Sequence, residues 1–67
     1  MHTATFEINI PSNPLAGRIN LEDIEMGMVA DTGVKARASR DSMTLTVRVA
    51  ANDAADAANW LQKAGLI

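Results

Sequence analysis

Residues 34–50 alternate between apolar and polar side chains on both sides of a short polar break, and this pattern constrains the fold more than any other stretch of the chain. The break, residues 40–42, holds an Asp and a Ser that are suited to bonding nearby backbone amides. The stretch therefore predicts a β-hairpin with one buried face. The apolar face takes Val34, Ala36 and Ala38 from the first arm and Met43, Leu45, Val47 and Val49 from the second.

A second alternating stretch, residues 3–10, lies near the start of the chain. Its β-branched residues are typical of a strand. Pro11 lacks a backbone donor and ends this strand, and Pro14 is well placed to begin a short helical turn. The apolar face of the predicted strand holds Ala4, Phe6, Ile8 and Ile10.

Residues 20–32 fit two interpretations. As a helix, they begin at an N-cap, Asn20, with acidic residues in the first turns, and they stop at Gly33. As a strand, alternate residues from Ile24 to Ala30 share a face, and residues 31–33 turn into the hairpin. Gly27 weakens a helix by about 1 kcal/mol relative to alanine. The cap and the acidic residues favour the helix, whose buried face would take Leu21, Ile24 and Met28.

The last element is a helix over about residues 53–64, with Asn52 as its predicted N-cap. Gly65 supplies the left-handed residue that often follows a helix, and Leu66 can fold back onto the last turn. A stripe of small apolar residues at helical spacing predicts close packing against a sheet. The stripe consists of Ala54, Ala57, Ala58, Leu61 and Ala64.

The order of these elements predicts one α+β domain over residues 1–67, arranged β-α-β-β-α. A right-handed crossover places the first two strands parallel, and the third strand fills the gap between them. The result is a three-stranded mixed sheet in the order 1-3-2 with both helices on one face. This arrangement resembles in topology the ferredoxin-like split βαβ fold without its fourth strand. If residues 20–32 form a strand, the alternative is a β-meander with a C-terminal helix.

The absent fourth strand would leave the first strand as an open edge. That strand holds no Lys or Pro to discourage pairing with another chain. The core is also thin, since twelve of the thirty-two hydrophobic residues are alanine, and a chain this short buries only about 60% of its surface. Both arguments predict a homo-oligomer. The candidate dimer edge is Phe6, Ile8 and Ile10.

Composition excludes several classes of site and protein. The chain has no cysteine and one histidine, so disulfides and Cys- or His-rich metal sites are excluded, and we predict no metal and no cofactor. No apolar run reaches the roughly 18–20 residues that span a bilayer, and no signal peptide is recognisable. We therefore expect a cytoplasmic protein. The net charge of −2 favours neither nucleic acid nor a membrane surface.

The positive charge is concentrated in the hairpin, where residues 35–48 carry four Lys or Arg and one Asp. This face is either a solvated sheet surface or a platform for phosphate or an acidic protein. No aromatic residue lies on it, which argues against the base stacking typical of RNA-binding sheets. Trp60 is either core edge or an interface anchor. The candidate partner-binding residues are Lys35, Arg37, Arg40, Arg48 and Trp60.

No catalytic constellation is recognisable. His2 lies beside the terminus, and the glycines match no phosphate-binding motif. We expect a non-enzymatic protein-interaction module that forms a homodimer and binds a protein partner. The alanine-rich composition fits a high-GC organism or one of its phages, and the small size fits a phage or mobile-element protein that modulates a host protein. The alternative is a nucleic-acid-binding accessory protein that uses the basic hairpin face. A third hypothesis, an enzyme or small-ligand binder, requires a site shared between two subunits.

Overall fold

The structure is a computed structural model that describes residues 2–67. Its order of elements confirms the predicted β-α-β-β-α arrangement and adds a short helix that begins at Pro14. The elements are β1 (Thr3–Asn9), α1 (Pro14–Arg18), α2 (Leu21–Thr32), β2 (Arg37–Arg40), β3 (Thr44–Ala50), a 3₁₀ turn (Ala51–Asp53) and α3 (Ala54–Lys63).

The three strands form one sheet in the order β1-β3-β2, as predicted. Each outer strand is antiparallel to β3, so the sheet is antiparallel throughout and not mixed as predicted, although the two outer strands run in the same direction. Val47 lies at the middle of the sheet, opposite Phe6 on one side and Ala38 on the other. The likeness to the ferredoxin-like fold is thus a likeness of strand order and helix placement.

The core lies between the apolar face of the sheet and the helices. Leu45 and Val47 are fully buried on the central strand, beneath Ile24 and Met28 of α2 and Leu61 of α3. None of the helices in residues 2–67 combines the length and the apolarity needed to cross a bilayer.

Residues 20–32 form the predicted helix, which rules out the β-meander. The Asn20 side-chain oxygen accepts a hydrogen bond from the Glu22 amide at 2.9 Å, and Gly33 ends the helix with a φ of 77°. Gly27 weakens the helix locally, but the tertiary structure explains why a glycine is present there. A Cβ added there would lie 2.8 Å from Cζ2 of Trp60, so the indole packs directly on the helix backbone.

Helix α3 begins one residue later than predicted. Asp53 is the N-cap and Asn52 lies in the 3₁₀ turn, so the assignment of Asn52 as N-cap is wrong. The C-terminal prediction is confirmed: Gly65 has a φ of 82°, and the Leu66 amide donates to the Leu61 carbonyl at 2.9 Å. Leu66 itself is buried. This is the Schellman arrangement, which satisfies the last helical carbonyls.

The hairpin turn departs from its prediction at both ends. Met43 was expected on the buried face, but it lies in the turn and is 57% exposed. Arg40 belongs to β2 rather than to the turn. The Asp41 carboxylate organises the turn by accepting hydrogen bonds from the amides of Met43 and Thr44, at 2.8 and 2.7 Å.

Candidate interaction surfaces

The outer side of β1 carries backbone groups that no other strand of the sheet uses. The Ile10 amide donates to the Met43 carbonyl at 2.9 Å, and the Ala51 amide donates to the His2 carbonyl at 3.0 Å. Even-numbered residues of β1 therefore bond to β3. Because hydrogen-bonding direction alternates along an antiparallel strand, the odd-numbered residues direct their amides and carbonyls away from β3. We call these residues the β1 edge: Thr3, Thr5, Glu7 and Asn9.

Most of the β1 edge has no partner within residues 2–67. The Asn9 carbonyl accepts from the amides of Ser12 and Asn13, at 3.2 and 3.0 Å, and so belongs to the following turn. The outward groups of Thr3, Thr5 and Glu7 make no such bond in the described part of the chain. These side chains are exposed as well. A strand of seven residues is therefore left with one unpaired side.

The opposite edge of the sheet is partly covered. The outward amide of Ala38 on β2 donates to Oε2 of Glu25, a residue of α2, at 2.7 Å. Strand β2 is also only four residues long. Arg40 follows Ala38 on the helix-facing side, and its guanidinium donates to the carbonyls of Ala16 and Ile19 near the end of α1. One edge is therefore short and covered at one amide, while the other is longer and open.

Two of the predicted edge residues, Phe6 and Ile8, lie on the inner face of β1, and Ile10 directly follows the strand. Ile8 is 5% exposed and belongs to the core, whereas Phe6 and Ile10 are only partly buried. Ala4, at the other end of the strand, is partly buried too. Apolar side chains along the open edge therefore keep some contact with solvent, which a further strand would reduce.

The outer face of the sheet has a basic end. Arg37 and Arg48 lie directly opposite each other on β2 and β3, and Thr5 lies opposite Arg48 on β1. Both arginines are exposed, as is Lys35. Like charges in opposed positions destabilise a sheet. Arg37 and Arg48 therefore share the outer face, Lys35 precedes β2, and Arg40 lies on the other face, bonded to α1.

Trp60 lies between α2 and α3, half-buried. Its Nε1 donates to Oδ2 of Asp31 at 2.7 Å, and its ring contacts Gly27. This location corresponds to the core-edge alternative, and an anchoring role for its exposed part stays a prediction. The indole also borders an open groove of about 480 Å³ between the two helices, lined by Asp31, Thr32, Asp56, Asn59, Trp60, Lys63 and Ala64.

Two polar residues outside the sequence predictions prove structurally important. Glu25, expected only to favour the start of α2, covers the Ala38 amide. Asn13, which precedes α1, donates from Nδ2 to the carbonyls of Gly65 and Leu66, both at 3.0 Å. Both contacts join segments that are distant in sequence, and no local pattern signals them.

Two observations concern the charged groups of residues 2–67. Among residues 2–67, no group of three His, Asp or Glu side chains is placed to hold a metal ion. The pKa of Asp41 lies below its ordinary value because the backbone amides of Met43 and Thr44 donate to the carboxylate and stabilise its charged form. That shift belongs to the hairpin turn.

Comparison with known proteins identifies no relative of the chain. No protein-family model matches it. No curated protein and no solved structure matches it significantly. The function of the protein must therefore be inferred from the two edges and the outer face of the sheet.

Proposed function

We propose that the protein is a non-enzymatic protein-interaction module that binds another polypeptide strand along the β1 edge. Strand addition of this kind draws its affinity from main-chain hydrogen bonds and its specificity from alternate side chains. The added strand would pair with the outward amides and carbonyls of Thr3, Thr5 and Glu7 and with the Asn9 amide.

The difference between the two edges carries the proposal. Proteins usually protect exposed edges by short strands, by charged side chains or by a covering helix or loop. Here β2 has two of these protections, its length and the Glu25 carboxylate on Ala38. The β1 edge has seven residues and one charged side chain, that of Glu7. An edge left unprotected beside a protected one is what a strand-binding surface requires.

The energy available from the edge is sufficient for reversible binding. Each main-chain hydrogen bond contributes about 0.5–1.5 kcal/mol net. A partner strand would also remove solvent from the partly buried Phe6 and Ile10, at about 25 cal/mol per Å² of apolar surface. Ordering a flexible strand opposes both gains, so we expect a moderate affinity that depends on the fit of the partner.

The probe for this proposal is a peptide with the sequence of residues 2–10, which has the alternating pattern of a strand and contains no Gly or Pro. In protein dilute enough to be monomeric, we expect excess peptide to slow hydrogen exchange at the outward amides of Thr5 and Glu7, measured by NMR. The inward amide of Phe6 is already bonded to β3 and serves as the internal reference.

A pair of variants at one position controls for side-chain effects. Thr5→Pro removes the outward amide without removing a bond to β3, whereas Thr5→Val keeps the amide and favours strand geometry. The peptide should protect the Glu7 amide in Thr5→Val but not in Thr5→Pro. Exchange at Thr5 and Glu7 that stays fast in the unsubstituted protein, at every peptide concentration, would contradict strand binding at this edge.

A second candidate function is nucleic-acid binding by the basic end of the outer face. The opposed pair of Arg37 and Arg48 favours it, because a bound phosphate would relieve the repulsion between them. Phosphate contacts weaken steeply with salt. The test is binding of single-stranded DNA at low salt to the unsubstituted protein and to Arg48→Thr. If neither protein bound the DNA, or if both bound it equally, this candidate would be contradicted.

A further inference from the structure

We infer that the β1 edge is occupied by the β1 edge of a second copy of the chain, in the antiparallel register that places Phe6 opposite Phe6. This inference rests on the proposed function and names its partner. The dimer axis would be perpendicular to the sheet, so both apolar faces would lie on the same side. The product would be a six-stranded antiparallel sheet in the order β2-β3-β1-β1-β3-β2.

The direction of the free backbone groups limits the possible registers. Only odd-numbered residues direct their groups outward, so hydrogen-bonded pairs must join odd residues to odd residues. Three central registers meet this condition and close as a two-fold dimer: they centre on Thr5, on Phe6 or on Glu7. Shifting the register by one residue would place odd-numbered residues opposite even-numbered ones, whose backbone groups are already bonded to β3.

Strand length favours the central register. Residues 3 and 9 are equally distant from Phe6, so this register overlaps all seven residues of β1 and pairs every outward residue. Centring on Glu7 would place Thr3 opposite Pro11, which has no amide to donate. It would also set the two Glu7 carboxylates directly opposite each other, which is destabilising. Centring on Thr5 would overlap only residues 3–7 of the two strands and leave Asn9 without a partner.

The inner face fits the same register. Phe6 meets the second copy's Phe6 in a non-hydrogen-bonded pair, where side chains approach most closely. On either side, Ala4 meets the second copy's Ile8, a small residue against a large one. Both Phe6 and Ala4 are partly exposed in the single chain. The dimer would cover the part of the core that the helices leave open.

The outer face supplies charge complementarity. Thr5 lies opposite Arg48 within one chain and would lie opposite the second copy's Glu7. The carboxylate of that Glu7 would then be two strands from Arg48, about 9.5 Å between backbones. An extended arginine and a glutamate can meet over the small Thr5 side chain. Each basic end would thereby gain an acidic neighbour from the other copy.

Single cysteine variants test the register, because the chain has no cysteine of its own. The Cα atoms of a non-hydrogen-bonded pair lie about 4.5 Å apart, within the distance that a disulfide spans. Under mild oxidation Phe6→Cys should therefore cross-link to a dimer. At positions 5 and 7 the equivalent atoms of the two copies would lie roughly 8 Å apart, beyond that range. Thr5→Cys and Glu7→Cys should cross-link slowly.

A second measurement retains the Phe6 side chain, whose loss would weaken the interface. In an equimolar mixture of Ala4→Cys and Ile8→Cys proteins, the mixed disulfide should form about a hundredfold faster than in denaturant, because pairing raises the effective thiol concentration. Faster cross-linking of Thr5→Cys or Glu7→Cys than of Phe6→Cys and of this mixture would overturn the register. If all variants cross-linked only at the rate seen in denaturant, a second copy would not occupy the β1 edge. Protection of the Thr5 and Glu7 amides by the peptide decides separately whether this edge binds strands at all.

Discussion

The contact between Gly27 and Trp60 allows the packing of α2 against α3 to be tested quantitatively. Replacing Gly27 by alanine removes the conformational cost of glycine and should stabilise an isolated helix by about 1 kcal/mol. In the folded protein the new methyl group would lie 2.8 Å from the Trp60 ring. The ring is also held by its 2.7 Å bond to Asp31. Overpacking of this kind costs about 1–3 kcal/mol.

The two effects oppose each other, and the second should prevail. We expect Gly27→Ala to lower the free energy of unfolding by about 1 kcal/mol, the difference between the packing and helix-propensity effects. In a Trp60→Leu background the ring is gone, and the same substitution should raise the free energy of unfolding by about 1 kcal/mol. The coupling between the two sites is then about 2 kcal/mol, within the range found for residues in contact.

The assay is urea denaturation of four proteins, the unsubstituted chain, each single variant and the double variant. Far-ultraviolet circular dichroism follows the helices and does not depend on the tryptophan. A domain of this size has a total stability of roughly 3–10 kcal/mol, so both shifts are measurable. If Gly27→Ala stabilised both backgrounds equally, Trp60 would not pack on Gly27 and the account of the helix interface would be refuted.

Three further predictions concern polar contacts. Amide hydrogen bonds in the folded state lower the pKa of Asp41, and they therefore stabilise the protein above the ordinary carboxyl pKa. This stabilisation should be lost as the pH falls through the lowered pKa. NMR titration should show the lowered pKa, and Asp41→Ala should lose this pH dependence of the free energy of unfolding. Asn13→Ala should lower the free energy of unfolding by about 1–2 kcal/mol by removing two bonds, one of them to the Leu66 carbonyl, as measured in urea. Glu25→Ala should speed hydrogen exchange at the Ala38 amide, whereas Glu25→Gln, which keeps an oxygen acceptor, should retain much of its protection.

Local signals in the sequence predict most of the fold. Alternation places β1 and the hairpin, and the order of strands and helices then determines the 1-3-2 sheet. Glycine at 65 and leucine at 66 predict the end of α3, because a left-handed residue and the apolar contact that follows it act within one turn. Asn20 similarly resolves the helix at residues 20–32.

Contacts between distant segments explain what sequence patterns miss. Gly27 counts against a helix locally, yet it provides the space that Trp60 occupies. Arg40 belongs by composition to the basic hairpin, but its alternation places it on the helix-facing side, where α1 supplies carbonyl acceptors. The role of Glu25 depends on how α2 crosses β2, which no pattern within α2 encodes. These differences bear on the proposed function, because Glu25 covers an outward amide of β2, on the edge opposite the proposed binding edge.

Sedimentation equilibrium of Thr5→Val and Thr5→Pro proteins tests the central claim, association through the β1 edge, most directly. In the inferred dimer each Thr5 amide donates to the second copy's Glu7 carbonyl, so Thr5→Pro removes two hydrogen bonds per dimer. Their loss should weaken association by about tenfold or more, with the dichroism spectrum unchanged. We predict a concentration-dependent dimer for Thr5→Val and a monomer for Thr5→Pro over the same micromolar range. A folded monomer for both variants at every concentration, or an equally stable dimer for both, would contradict the account.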